Sequence, residues 1–250
     1  VVMLKNVDLG SKYAKLYNSS EAKNVTVDLG GYEVTSSASS TFVVASENWT
    51  IQNGTIKNTY PKVVATGGAV YASSAGSTTL VGGENGLKIV SNSVGVTIRI
   101  NNGTAYVTVE DGVEISGQYG AYVYGSPNGF RRKYTGKTAL TVNGGSIRGS
   151  IAAIAVWGPY KNNTTATATL NVNGGIISSS TGYAIAGSGQ ADYIGTTINI
   201  SNGTIISEKD VAIYHPQAGT LTITGGKISG VTSGIQICSG TLNVSGNAEI

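Results

Sequence analysis

One cysteine and one histidine in 250 residues leave little room for metal or redox chemistry. Cys238, being alone, forbids an internal disulfide and any zinc site built on several cysteines. That neither argues for nor against an oxidising compartment. Charge is scarce as well: charged residues are 12% of the chain, against roughly 25% in average proteins. A net charge of +3 gives no basic footprint, so no nucleic-acid partner is expected. No apolar run approaches the ~18 residues of a spanning helix, so no membrane insertion is expected. No window carries a long apolar pattern of 3.6-residue period with caps, which argues against substantial helix. No signal-peptide pattern is read in these residues. The chain opens on Val1 and stops inside a repeat at Ile250, so it reads as a segment cut from a longer protein with further domains.

What is present is glycine, 36 of 250 residues and about twice the usual share, together with Val, Ile, Ser, Thr, Asn and Ala. Those residues suit strands and tight turns. They are also ordered. "LTVNGGSIRG" from Leu140 returns as "LNVNGGIISS" from Leu170, "INISNGTIIS" from Ile198 and "LTITGGKISG" from Leu221. The Ile that closes each motif serves as a marker: Val34, Ile56, Ile89, Ile115, Ile147, Ile177, Ile205, Ile228 and Ile250. The intervals run from 22 to 33 residues, the period of a solenoid unit carrying loops of variable length. Ile89 is the weakest marker, because "GLKIVSN" has no turn doublet.

Within a unit, Leu140 and Val142 point one way while Thr141 and Asn143 point the other. The doublets Asn53-Gly54, Gly144-Gly145, Gly174-Gly175, Asn202-Gly203 and Gly225-Gly226 share one slot, because Gly and Asn tolerate positive φ. A third apolar stretch is read at a constant offset after the marker: "AYVY" from Ala121, "AIAV" from Ala153, "AIAG" from Ala184, "AIYH" from Ala212 and "GIQI" from Gly234. This alignment places Tyr124, Val156, His215 and Ile237 in one inward slot. It places Tyr71, Val123, Ala155, Ala186, Tyr214 and Gln236 in one small, nearly flat outward column.

The expectation is an all-β chain forming a single domain over 1–250, a single-stranded parallel β-helix of about nine coils with three short strands per coil. Hairpins across the "NG" doublets are the competing account; three unequal strands returning in order favour the helix. Residues 1–23 read as a degenerate first coil, and residues 60–108 admit more than one register.

At this point the chain resembles the right-handed parallel β-helix, pectin-lyase-like superfamily, which includes pectate lyases and many bacterial surface proteins. "TVDLGGYEVTSS" from Thr26 and "WTIQNGTIKN" from Trp49 resemble early coils of Gram-positive cell-surface, adhesin-type repeat proteins. The resemblance covers essentially the whole chain. It supplies the handedness, and it implies a secreted or bacterial cell-surface location. It does not supply an activity, since this superfold carries lyases, hydrolases and adhesins alike.

Glycoside hydrolysis needs carboxylates converging on one bond, and the lyases of the superfamily need acidic calcium ligands with a basic residue beside them. Outward positions on adjacent turns hold Asn143, Asn173, Ser201 and Thr224 instead, all neutral. Glu110-Asp111 with Glu114, and Glu208 with Asp210, read as solvated turns. The polygalacturonase signatures are missing, and "IRI" around Arg99 is their nearest approach. No catalytic residue is assigned, no cofactor is expected, and calcium enters only if the chain is a lyase after all. His215 reads as a buried or half-buried histidine bonded to backbone, with a general base as the alternative. Cys238 reads as a small packing residue.

The long loops after three consecutive third strands carry the best candidate site. "GSPNGFRRKYTGKTA" from Gly125, "WGPYKNNTTATA" from Trp157 and "GSGQADYIGTT" from Gly187 are placed side by side by the stacking rule. They bring Phe130, Arg131, Arg132, Lys133, Tyr134, Trp157, Tyr160, Lys161 and Tyr193 to one flank. Aromatic rings cover sugar faces while arginines grip carboxylates. The expected partner is a polysaccharide or host glycan, acidic in character. The functional expectation is a non-catalytic adhesion or carbohydrate-binding module, with a polysaccharide lyase or glycoside hydrolase, and a plain spacer, as the alternatives. Asn48, Asn53, Asn102 and Asn202 match glycosylation triplets, as turn chemistry alone would produce.

Overall fold

The computed structural model describes residues 1–17, 24–46, 48–125, 134–161, 165–188 and 192–250. Among these there are 25 strands and no helix. Every ladder between strands is parallel, in two sheets. The nine-stranded sheet takes one strand per repeat, from Val25–Asp28 through Trp49–Gln52 and onward to Thr241–Val244. The sixteen-stranded sheet takes the marker strands and the third strands, which merge in the two 12-residue strands Val113–Tyr124 and Ser146–Trp157. Hairpins are excluded as its organising unit, because two-residue turns cannot join parallel neighbours.

The marker residues form one unbroken file. Val34 pairs with Ile56, then Ile89, Ile115, Ile147, Ile177, Ile205 and Ile228 follow in register. Val7 extends the file at one end. Glu249 bridges Lys227, which carries Ile250 to the other. Ile89 falls into line without its doublet, since Leu87 and Ile89 keep the inward alternation. A second file runs Val27, Ile51, Leu80, Val109, Val142, Val172, Ile200, Ile223 and Val244. Nearly all of these side chains are buried, each contributing about 1.5–3 kcal/mol relative to exposure. The turn doublets do what their residues allow: Asn53 has φ of +64° and Gly175 of +79°.

Both ambiguous stretches have a definite register. Val7–Asp8 and Ala14–Leu16 add onto Glu33–Ser36 and Ser40–Val44. In the 60–108 region, Gly68–Ala72, Gly76–Val81, Leu87–Ser91, Val94–Arg99 and Thr104–Val109 each pair with the equivalent strand of the next repeat.

The third strands depart from the expected alignment. Ala121 pairs with Ile154, and Ile154 with Ile185, so the offset from the marker is six, seven and then eight residues. The cause is a bulge: Gly117 pairs with Gly149, but Tyr119 pairs with Ala152. A one-residue slip moves side chains to the opposite face. Val123 is therefore a core residue, and Tyr122 and Tyr124 take the outer face. The outward column reads Tyr71, Thr97, Tyr122, Ala155, Ala186, Tyr214 and Gln236. Gly149 makes the bulge possible, because a Cβ there would land on the Ala152 carbonyl. Gly149→Ala is expected to lose about 2–3 kcal/mol of stability, read as a lower denaturant midpoint; an unchanged midpoint would mean that the bulge adjusts freely.

Candidate functional site

Trp157 ends the strand Ser146–Trp157 and lies in register with Tyr124 on the outer face. Its ring sits 5.4 Å from that of Tyr124 and 5.5 Å from that of Tyr122, and Tyr119 adds to Tyr122 at 4.5 Å. Next along the sheet is Arg99, paired with Tyr124 in the ladder. The Arg99 guanidinium lies 5.3 Å from the Tyr124 ring centroid, within the range of a cation–π contact. Its Nη1 donates to the Ala65 carbonyl at 3.2 Å. The head group is thus held from two sides. Among the described residues it forms no ion pair, in contrast to Lys88, Arg148 and Lys161.

Beside it is an open cleft of about 400 Å³, lined by Tyr71, Ser73, Ser74, Arg99, Asn101 and Asn102. The wall has hydroxyls, carboxamides, one ring and one cation, with no carboxylate. Desolvation raises the hydroxyl pKa of both Tyr71 and Tyr124, partly offset by the charge of Arg99. Burial pushes Tyr122 up as well. The phenols are therefore neutral at physiological pH, and the site offers neutral rings beside a fixed positive charge.

The loops that follow come together as the stacking rule requires. Tyr160 and Tyr193 form an antiparallel bridge, with their rings edge-on at 5.8 Å and 82°. Ile194 N donates to Pro159 O, and Lys161 N to Asp192 O, each at 2.8 Å. Asp192 is the residue that sequence reasoning missed. Its carboxylate accepts from Lys161 Nζ at 3.0 Å and from the Tyr160 hydroxyl at 3.1 Å. The Lys161 hydrogen bond holds the carboxyl below its ordinary range, with Tyr160 adding to that, and Lys161 is raised by the same contact. Lys161 thus ties two loops together and is already neutralised. The Tyr134 carbonyl accepts from Thr165 Oγ1 at 3.3 Å. Phe130, Arg131, Arg132 and Lys133 lie outside the described residues.

Several other acidic side chains each have a partner of their own rather than converging on one another. Glu114 faces Lys88 at 3.7 Å, Glu208 faces Arg148 at 3.6 Å, and Glu110 accepts from Asn143 at 2.9 Å. Asp210 accepts from the Val211 amide. Among the described residues no group of three or more His, Cys, Asp or Glu is placed to hold a metal ion.

His215 pairs with Ile237 in the ladder and is fully buried. Tyr124 does not share its slot, and neither ring nitrogen has a partner, contrary to the expected backbone bond. Cys238 is exposed, so it is not a core packing residue; Ile237 before it is itself only partly covered at this end of the chain. Arg99 and Tyr124 were within reach of a closer reading of "AYVY". A narrow interior lined by Val and Ile accepts Ala121 and Val123 and turns both tyrosines out. Comparison of the chain with protein-family models, curated proteins and solved structures returns no match.

Proposed function

We propose that this chain is a right-handed parallel β-helix of about nine coils, belonging to a secreted or cell-surface bacterial protein, and that it binds carbohydrate without transforming it. All-parallel ladders and the unbroken marker file support the architecture. The handedness and the pectin-lyase-like kinship come from the sequence resemblance. A polysaccharide or host glycan carrying acidic groups is the ligand this reading favours.

The observation that carries it is Arg99, a cation immobilised on Tyr124 with no ion pair among the described residues, beside a cleft lined with hydroxyls and amides, with Trp157 packed on the same Tyr124 one strand further on. A pre-positioned guanidinium binds a carboxylate in two-point fashion with little ordering cost. The neutral rings supply faces for apolar sugar surfaces.

A glycan array probed with the unmodified chain tests this. Trp157→Ala is expected to weaken binding of the best glycan about tenfold. Arg99→Ala should erase the preference for acidic over neutral glycans. Binding indifferent to both changes would overturn the assignment, and no binding at all would favour a spacer. New unsaturated or reducing ends on incubation with pectin or alginate would replace the non-catalytic reading with a lyase or hydrolase.

A further inference from the structure

Asn-Gly is the pair in which an asparagine most readily attacks itself, because glycine leaves the next peptide nitrogen unshielded. Six such pairs lie in the described residues, headed by Asn53, Asn85, Asn102, Asn143, Asn173 and Asn202. In five of them the carboxamide is tied to a neighbouring repeat. Asn53 donates to Asp28 and accepts from Asn85. Asn102 accepts from Thr135. Asn143 and Asn173 belong to a ladder in which Asn173 donates to Asn143, Asn143 to Glu110, and Ser201 to Asn173.

Asn202 stands apart, for a reason visible in the register. Ile200 pairs with Val172 and Ile223, so Asn202 occupies the slot that Gly174 fills on one side and Gly225 on the other. Neither glycine offers a side chain to bond with. The Asn202 carboxamide is exposed and has one contact among the described residues, the amide of its own neighbour: Gly203 N donates to Asn202 Oδ1 at 2.8 Å. The attacking nitrogen and the amide it must attack are already together. The turn borders an open cleft of about 530 Å³ that also includes Lys227 and Glu249, so water has access.

We infer that Asn202-Gly203 is a self-modifying site, selected by the fold from among equivalent sequences. The Gly203 nitrogen loses its proton and bonds to Asn202 Cγ; the Cγ–Nδ2 bond breaks, and ammonia leaves carrying a proton. Water then opens the five-membered imide. Opening at Cγ leaves aspartate in an unaltered main chain. Opening at the Asn202 backbone carbonyl leaves isoaspartate, which routes the main chain through the side chain and lengthens it by one carbon. Either product lowers the net charge by one at neutral pH. The isoaspartate also strains a turn whose flanks are bonded on both sides, Ser201 N to Val172 O and Lys227 N to Gly203 O, each at 2.9 Å.

The test uses the chain with Asn128→Gln, which removes the Asn-Gly pair outside the described residues. The folded protein is held warm at mildly alkaline pH and sampled by peptide mapping, with isoaspartate methyltransferase labelling as a second readout. Asn202 is expected to convert at least about fivefold faster than each of the other five, the factor set by the cross-repeat hydrogen bond they must break first. In urea the six should convert at similar rates. Asn202→Gln should remove the leading product. A different pair leading in the folded chain, equal rates for all six when folded, or an inert Asn202 would each overturn the inference.

Discussion

Gln217→Leu is expected to lower the stability of the chain by about 3–5 kcal/mol, among the largest effects of any single polar substitution here. Gln217 is fully buried and acts where a strand ladder ends. The strand Tyr183–Gly187 stops at Gly187, and from there the Gln217 side chain supplies the bonds. Its Nε2 donates to the Val156 carbonyl at 2.9 Å, across 61 residues of sequence. Its Oε1 accepts from Ser188 N at 3.2 Å and from Ser188 Oγ at 2.8 Å. Gly187 makes room for it, since a Cβ there would stand 2.8 Å from Pro216 Cδ and 3.0 Å from Gln217 Nε2. Leucine fills the volume but strands a carbonyl, an amide and a hydroxyl away from water, each worth about 1–3 kcal/mol when unsatisfied. The measurement is a denaturant midpoint that falls at unchanged m-value. Gln217→Glu sharpens the test: its carboxylate still accepts from Ser188 but sets an oxygen against the Val156 carbonyl. That variant should recover stability as the pH drops through the carboxylate range, while the leucine variant should not. A leucine variant within about 1 kcal/mol of the parent would mean that water replaces the side chain. Val156 immediately precedes Trp157, so the same substitution is expected to loosen the outer aromatic face.

That coupling between a buried amide and an exposed ring was not legible in the sequence, and the reason is instructive. The marker file was legible because the Gly and Asn doublets punish any other register through backbone sterics. Even Ile89 fell into place, on alternation alone. The third strands carry no such punctuation. Counting from Ile115 and Ile147 gives matching offsets for Ala121 and Ala153, yet the bulge at Gly149 absorbs a residue that no local pattern announces. The slip turned Tyr124 inward on paper, so the sequence-derived site ran through the loops and missed Arg99 and Tyr124 on the sheet. Conversely, the meeting of Tyr160 and Tyr193 followed from stacking, because loops that leave equivalent strands must emerge one rung apart. Asp192 was invisible for a different reason: a carboxylate's choice between solvent and a lysine is made by loop geometry, which sequence spacing does not encode.

The polar ladders extend the same logic. Asn199 donates to Asn171 at 2.9 Å, and Asn171 in turn to Thr141 at 3.4 Å. Outward polar residues bind their counterparts above and below, much as the interior apolar residues pack on theirs. Asp28 shows the charged version: its carboxyl is held below the ordinary range by the Gln52 side chain, the Gly30 amide and Asn53, all within two repeats. A substitution in such a column is therefore felt by its neighbours one repeat away, about two dozen residues distant in sequence.

Among the described residues His215 breaks this rule, as the Ser40 and Thr196 hydroxyls do, but only the imidazole titrates near neutrality, and a pH titration of stability should expose it. Both ring nitrogens are buried without a partner, and burial alone pushes the imidazole below its ordinary 6.5. Above pH 6.5 the ring is neutral in the folded and unfolded chain alike, so pH has no leverage through it. Below that value the unfolded chain takes up the proton first, and stability falls with each further step toward acid until the lowered folded value is passed. Asp28 acts in a separate window, because a carboxyl with a depressed value holds its contribution down to about pH 4 and loses it below. His215→Leu is expected to raise stability at pH 7 by about 1–2 kcal/mol, by removing two unsatisfied polar atoms from the core. It should also flatten the fall in stability that begins below about pH 6.5, while leaving the more acidic carboxylate limb intact. The difference between the two denaturation series isolates the imidazole from every carboxylate. Parallel profiles for parent and variant would show that the ring finds a hydrogen-bonding partner, such as an internal water, and carries no unmet cost.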